Sequence, residues 1–282
     1  MKRRGRLLRR RLLRRISAFL GAGILLAGCG GGPSGVAPSE PVELNVYVPC
    51  VLSGPMQKII GAYEETEPGA AISTRVDKPM AMLEAVPEAR DVAGVVVTLG
   101  DREMEALVAA GAVSAADVKA FAVNTYPIVV VAAADAIPGV TDLSGLASPE
   151  VKAVAIEDPE RSTLGDRAQR ALEGIGLWAA VEPKVVRLEP DAMVLGELMD
   201  GRADAAVIFR DCLFGESGGN PPKTIRIVGE IPQDDLPPIL YQAAPLAQAP
   251  NPEVGRRFVD FLVSEGGRKA LEGAGLSPSG TR

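Results

Sequence analysis

Residues 42–67 read VELNVYVPCVLSGPMQKIIGAYEETE, and the two halves of that stretch follow different periods. Val42, Leu44, Val46 and Val48 alternate with Glu43, Asn45 and Tyr47, as in a strand with one buried face. Pro49 has no N–H to offer a sheet ladder and ends the strand. From Met56 onward the apolar positions are Met56, Ile59, Ile60 and Tyr63, one face of a helix, until Pro68-Gly69 breaks the pattern. Ser53 or Gly54 is the expected cap, with Pro55 in the first turn. A strand that runs straight into a helix start leaves backbone N–H groups pointing out of the turn, and with the helix dipole these make an anion site. In open α/β sheets the carboxyl ends of strands are where ligands bind. The turn alone reads equally well as a ligand site or as a structural turn around a buried Cys50.

The chain around this turn has 282 residues, 47% hydrophobic and 23% charged, enough for a large core divided between two lobes. Its net charge of −6 conceals an uneven distribution. Nine of the 30 basic residues lie between Lys2 and Arg15, and the first acidic residue is Glu40. From Cys29 onward 21 basic residues face 36 acidic ones, a balance that argues against nucleic acid or an anionic membrane surface as a partner of the folded part. The chain has no histidine, so the commonest general base, the commonest metal ligand and the Ser/His and Cys/His catalytic pairs are excluded. An enzyme is not expected.

The first residues read as an address. Residues 1–15 are a basic region, 16–27 an apolar run of signal-peptide length, and Leu26-Ala27-Gly28-Cys29 closes it. The run is shorter than the roughly 18 to 20 apolar residues a membrane span needs. The closing motif resembles a bacterial lipobox, which implies cleavage before Cys29 and a lipid on its thiol. Arg14-Arg15 also permits twin-arginine export as a second route. Residues 30–41, GGGPSGVAPSEP, have the composition of a flexible tether.

Beyond the opening unit, strands are expected at 71–76, 92–98, 126–134, 152–156, 185–188, 203–209, 224–228 and 238–246. Helices are expected at 81–86, 101–110, from 163 to about 174, at 191–200, at 252–263 and at about 266–271, with a short one announced by the capping pattern Ser114-Ala-Ala-Asp117. Alternation of this kind implies mostly parallel sheets with right-handed crossovers. Residues 215–222 read as a loop.

The order of elements, with several phrases, resembles the substrate-binding protein of molybdate ABC transporters, a type II periplasmic binding protein. The phrases are Asp158-Pro159-Glu160 leading into AQRALEGIGLW at 168–178, GRADAA at 201–206, PPILY at 237–241, and NPE at 251–253 with FVDFL at 258–262 and SEG at 264–266. The resemblance spans nearly all of residues 42–276. It implies an α/β fold of two lobes, each a mostly parallel sheet flanked by helices, with the ligand cleft between them. The implied boundaries are a signal peptide at 1–28, a lipid-anchored linker at 29–41, lobe 1 at 42–123 and 240–282, and lobe 2 at 124–239. It also implies a small inorganic oxyanion ligand of the molybdate or tungstate kind, an ABC permease as partner, a membrane anchor through Cys29 on the periplasmic side, a monomer and no cofactor.

That family holds its ligand with serine hydroxyls from the first two strand-to-helix turns, N–H groups at a helix start in the second lobe, and a tyrosine after a later strand. Here Val51 stands at the first serine, with Cys50 before it and Ser53 two places on, and Asp77-Lys78-Pro79-Met80 replaces the second turn. The helix start at Ser162, Thr163 and Leu164 is kept, and Phe209 takes the tyrosine's place. The expected ligand contacts are Cys50, Val51, Ser53, Lys78, Ser162, Thr163, Leu164, Cys212 and Tyr241. Tyr241 could equally pack within a sheet.

Cys50 and Cys212 remain after lipidation of Cys29, and three readings stay open for them. They could form a disulfide in an oxidising compartment, they could be two unpaired thiols, or they could bind a soft metal or metalloid with help from Met56, Met80 or Met82. The last would make the chain a thiol-dependent metal binder or sensor.

Overall fold

The alternating residues form β1 (Val42–Val48), and the helical spacing after them forms α1 (Ser53–Thr66), joined by a single 3-10 turn, Cys50–Leu52. Leu52 rather than Ser53 is the α1 cap residue, and no side chain caps that end. The computed structural model describes residues 42–76, 93–133, 137, 139–189, 194–213 and 223–280, all within one compact unit, Glu40–Arg282. Cys29, Lys78, the helix expected at 81–86 and the loop expected at 215–222 lie outside the described residues.

Two sheets organise the described residues. The first contains β1, β2 (Ala70–Val76), β3 (Ala93–Thr98), β4 (Lys119–Asn124), β10 (Ile239–Pro245) and β11 (Ser277–Pro278), in the order β11-β4-β10-β3-β1-β2. The second contains β5 (Ile128–Ala133), β6 (Val154–Glu157), β7 (Val185–Leu188), β8 (Ala205–Phe209) and β9 (Ile225–Glu230), in the order β7-β6-β8-β5-β9. Within each sheet the strands of successive strand-helix units pair in parallel, β1 with β2 and β3, β6 with β7 and β8. The strands entering from the other sheet run antiparallel, β5 against β8 and β10 against β3. The chain passes between the sheets twice, at residues 125–127 and 231–238.

The remaining helices are α2 (Asp101–Ala109), α3 (Thr163–Gly174), α4 (Trp178–Val181), α5 (Val194–Met199), α6 (Pro252–Val263) and α7 (Glu265–Gly273). Strand β4 departs from the sequence expectation, because the Ser114 pattern suggests a helix there. Ser114 instead leads into one 3-10 turn, Ala115–Asp117, without a side-chain cap, and the chain then extends to pair with β10.

Each sheet is covered on both faces, which its composition requires, since Val95, Val96 and Val97 are all without exposed surface. On one face of the first sheet, Leu44, Val46 and Val48 pack with Met56 and Ile59 of α1 and with Phe258 and Leu262 of α6. On the other, Tyr47 and Val96 pack with Met104 and Leu107 of α2. The second sheet repeats this with Leu164, Ala168 and Leu172 of α3 on one side and Val194 and Leu198 of α5 on the other. Burying each such aliphatic side chain stabilises the fold by about 1.5–3 kcal/mol.

Phe258 has no exposed surface and stands edge-on to Tyr63, ring centroids 5.2 Å apart. Phe258→Ala is expected to lower the free energy of unfolding by about 3–5 kcal/mol, measured by urea denaturation.

Candidate functional site

The start of α3 follows β6 through Asp158-Pro159-Glu160-Arg161, and its position is set by a close backbone approach. A Cβ on Gly165 would lie 2.1 Å from the Glu157 carbonyl oxygen, so only glycine lets the first turn of α3 rest on the end of β6. Ser162 is the cap: its Oγ accepts from the N–H of Leu164 at 3.1 Å and of Gly165 at 3.3 Å, and it donates to the Glu157 carboxylate. Ser162 is fully buried, and Thr163 and Leu164 are buried beside it.

Thr163 faces the first lobe, and the partner it meets there is α2. Its N–H donates to Glu103 Oε1 at 2.9 Å, and its hydroxyl donates to Glu103 Oε2 at 2.6 Å. The same hydroxyl accepts from the Arg102 N–H at 3.2 Å. Gly100, just before α2, makes the contact possible, because a Cβ there would lie 2.3 Å from the Thr163 methyl. One turn along α3, Asp166 receives the Arg102 guanidinium at 2.9 Å and the Arg170 guanidinium at 2.9 Å. A carboxyl group from one lobe is thus bound at a helix start of the other, the place where an anion is most favoured.

Glu103 is 3% exposed. Burial pushes its pKa up, outweighing the opposite pull of the Thr163 hydroxyl and N–H. In the window between the ordinary carboxylate pKa and the raised one, the folded chain holds a proton that the unfolded chain has shed. Stability therefore falls as pH rises through that window. Glu103→Gln keeps an acceptor for the Thr163 N–H without the charge. Its urea midpoint is expected to exceed the wild type's at about pH 8 and to match it at about pH 5. Equal pH dependence in both proteins would remove Glu103 as the source.

The other expected contacts are spread between the first turn, the end of β8 and the core. Val51 is half-buried, and its carbonyl accepts from the Tyr126 hydroxyl at 3.1 Å, a tie between the first turn and the first crossing. Ser53 is half-buried in the first turn of α1. Cys212 is half-buried in the 3-10 turn Arg210–Leu213, which packs against the turn Cys50–Leu52, so the two cysteine-bearing segments are neighbours. Tyr241 has no exposed surface: its ring stacks on Phe121 with centroids 6.2 Å apart in the core of the first lobe. Phe209 is likewise buried. Among the described residues no group of three or more cysteine, aspartate or glutamate side chains could hold a metal ion, so the soft-metal reading gains no support from them.

Glu103, Arg102 and Gly100 are absent from the contacts expected on sequence. Their signal is present there, since Leu99-Gly100-Asp101 ends β3 as Val48-Pro49-Cys50 ends β1. Acidic residues in a first helical turn are also ordinary helix chemistry, which masks it.

Two lobes joined by two crossings, with a helix start of one facing the other, are an arrangement that can close on a small solute. The chain belongs to the bacterial extracellular solute-binding proteins, whose family pattern matches residues 44–277. It is 24% identical over 261 residues to the putative ABC transporter substrate-binding lipoprotein YvgL of Bacillus subtilis, covering 92% of this chain and 96% of that one. The fold is shared with the periplasmic molybdate-binding protein of Azotobacter vinelandii, at 15% identity and a TM-score of 0.54 over 83% of this chain and 98% of that one. It is shared equally with the sulfate-binding protein SubI of Mycobacterium tuberculosis, at 18% identity and a TM-score of 0.56 over 85% and 87%. Among the described residues no helix is long and apolar enough to cross a membrane.

Proposed function

We propose that the chain is a lipid-anchored substrate-binding protein of an ABC importer, capturing a small oxyanion between its lobes and presenting it to the permease. The observation that carries this reading is the bond set at Thr163, where an N–H and a hydroxyl at the start of α3 already hold a carboxyl group from the opposite lobe. Glu103 is the chain's own occupant of a seat for carboxyl oxygens. When the lobes part, α2 withdraws Glu103 and leaves Thr163 open to a solute of the same chemistry. Closure around the solute then favours the state in which donors from both lobes are satisfied, with Val51 and Ser53 on the first turn as assistants, while Ser162 holds the N–H groups of Leu164 and Gly165 in place. The name of the Bacillus relative supports the transport role and the anchor through Cys29. The molybdate and sulfate ligands named for two proteins of the same fold support a tetrahedral oxyanion.

Calorimetric titration of the purified full chain with molybdate, tungstate and sulfate tests the reading. At least one is expected to bind with a Kd of about 1 μM or tighter. Thr163→Pro removes the seat's N–H at a helix position that tolerates proline, and is expected to weaken binding about tenfold or more. Binding is expected to survive in a Cys50→Ser, Cys212→Ser double variant. Absence of heat with all three anions would overturn the ligand assignment.

A further inference from the structure

Where the two crossings run beside α3 they border an open pocket of about 180 Å³. Its wall includes Asn124 at the end of β4, Thr125 from the first crossing, Gln233 and Leu236 from the second, Ile239 at the start of β10, and Arg167 from α3. The wall carries donors and no carboxylate.

Arg167 is 8% exposed. A guanidinium offers five N–H donors, accepts nothing and keeps its charge throughout the ordinary pH range. Asp166, its neighbour in sequence, is committed to Arg102 and Arg170. Among the described residues no side chain forms a hydrogen bond or ion pair with the Arg167 guanidinium, and burial is the chief influence on its pKa, pushing it down. Asp166 and Asp101 favour its charged form from nearby without bonding it, so its N–H donors are left for another partner.

Asn124, also 8% exposed, has the same deficit. Its Oδ1 accepts from the Tyr126 N–H at 3.0 Å, which fixes the orientation of the amide, and the Nδ2 at the other end is buried with no partner. A buried donor left unmade is uncommon and calls for an occupant.

We propose that this pocket is an oxyanion site, taking the carboxylate or phosphate group of a small solute with Arg167 as its counter-charge and Asn124 Nδ2 as a second donor. Guanidinium suits both groups because its paired N–H bonds match two oxygens of either. Pockets for drug-sized molecules begin near about 300 Å³, so this one fits the anionic group and little of a carrier. The site does not depend on the α3 start: it uses side-chain donors one turn further along the helix. Asn124 ends β4 of the first sheet and Arg167 belongs to a helix of the second lobe, so an anion between them ties the lobes together at their crossings. Its binding is therefore coupled to their relative placement.

The test is calorimetric titration of the purified full chain with inorganic phosphate and, separately, with acetate. One or both are expected to bind, the stronger naming the group. Arg167→Gln is expected to weaken that binding about tenfold or more. Asn124→Asp, which replaces a donor by an acceptor of the same shape, is expected to do the same while raising the melting temperature through a built-in counter-charge. Thr163→Pro is expected to leave it within about twofold. The proposal fails if neither probe binds up to about 10 mM, or if both pocket variants keep wild-type affinity. Binding that Thr163→Pro removes and Arg167→Gln spares would place the anion at the α3 start, overturning the pocket and leaving the transport reading intact.

Discussion

The hydrogen bond from the Thr163 N–H to Glu103 joins groups 60 residues apart, and much of the surrounding structure is arranged so that it can form. The bond needs α3 to begin hard against the end of β6, which Gly165 allows, and it needs the turn after β3 to lie against Thr163, which Gly100 allows. It needs Ser162 to satisfy the next two N–H groups so that Thr163 alone faces outward. The Arg102 and Asp166 pair then fixes the same two helices one turn further along. Those groups are a quarter to a third exposed, so their pairing adds orientation more than stability.

The acidity of the chain from Cys29 onward gives these local donors their importance. With 36 acidic residues against 21 basic ones there, the average field repels an anion at a distance. Attraction has to come from groups whose own charge or dipole is close and shielded from water. The first turn of α3 supplies this through backbone N–H groups, and Arg167 through a buried cation. Both lie on one helix, whose packing against β6 tolerates no side chain at residue 165.

What the sequence made legible was whatever one element decides by itself. The period change between β1 and α1, the valine-rich run of β3 and the helix at 252–263 are local signals, and each formed where it was read. Strand β4 was hidden because the serine at 114 spoke for a helix, while pairing with β10 decided otherwise. Glu103 and Arg167 were masked in their roles, since a carboxylate in a first turn and an arginine on a helix look like solvated charges until the partner element is known. Tyr241 shows the converse. A tyrosine two residues into a strand has two faces to choose from, and the stack with Phe121 settles it in the core.

The first lobe closes only with the end of the chain. β10 lies between β3 and β4, and Phe258, Leu262 and Leu271 fill the core that β1 and α1 begin. The second sheet, by contrast, is complete within residues 128–230. A chain emerging from its N-terminus can therefore finish the later lobe first, while its opening strands wait some two hundred residues for the partners that bury them. Contacts of such sequence separation form slowly. The first lobe is therefore the last part of the molecule to close, and it closes on residues made at the end of the chain.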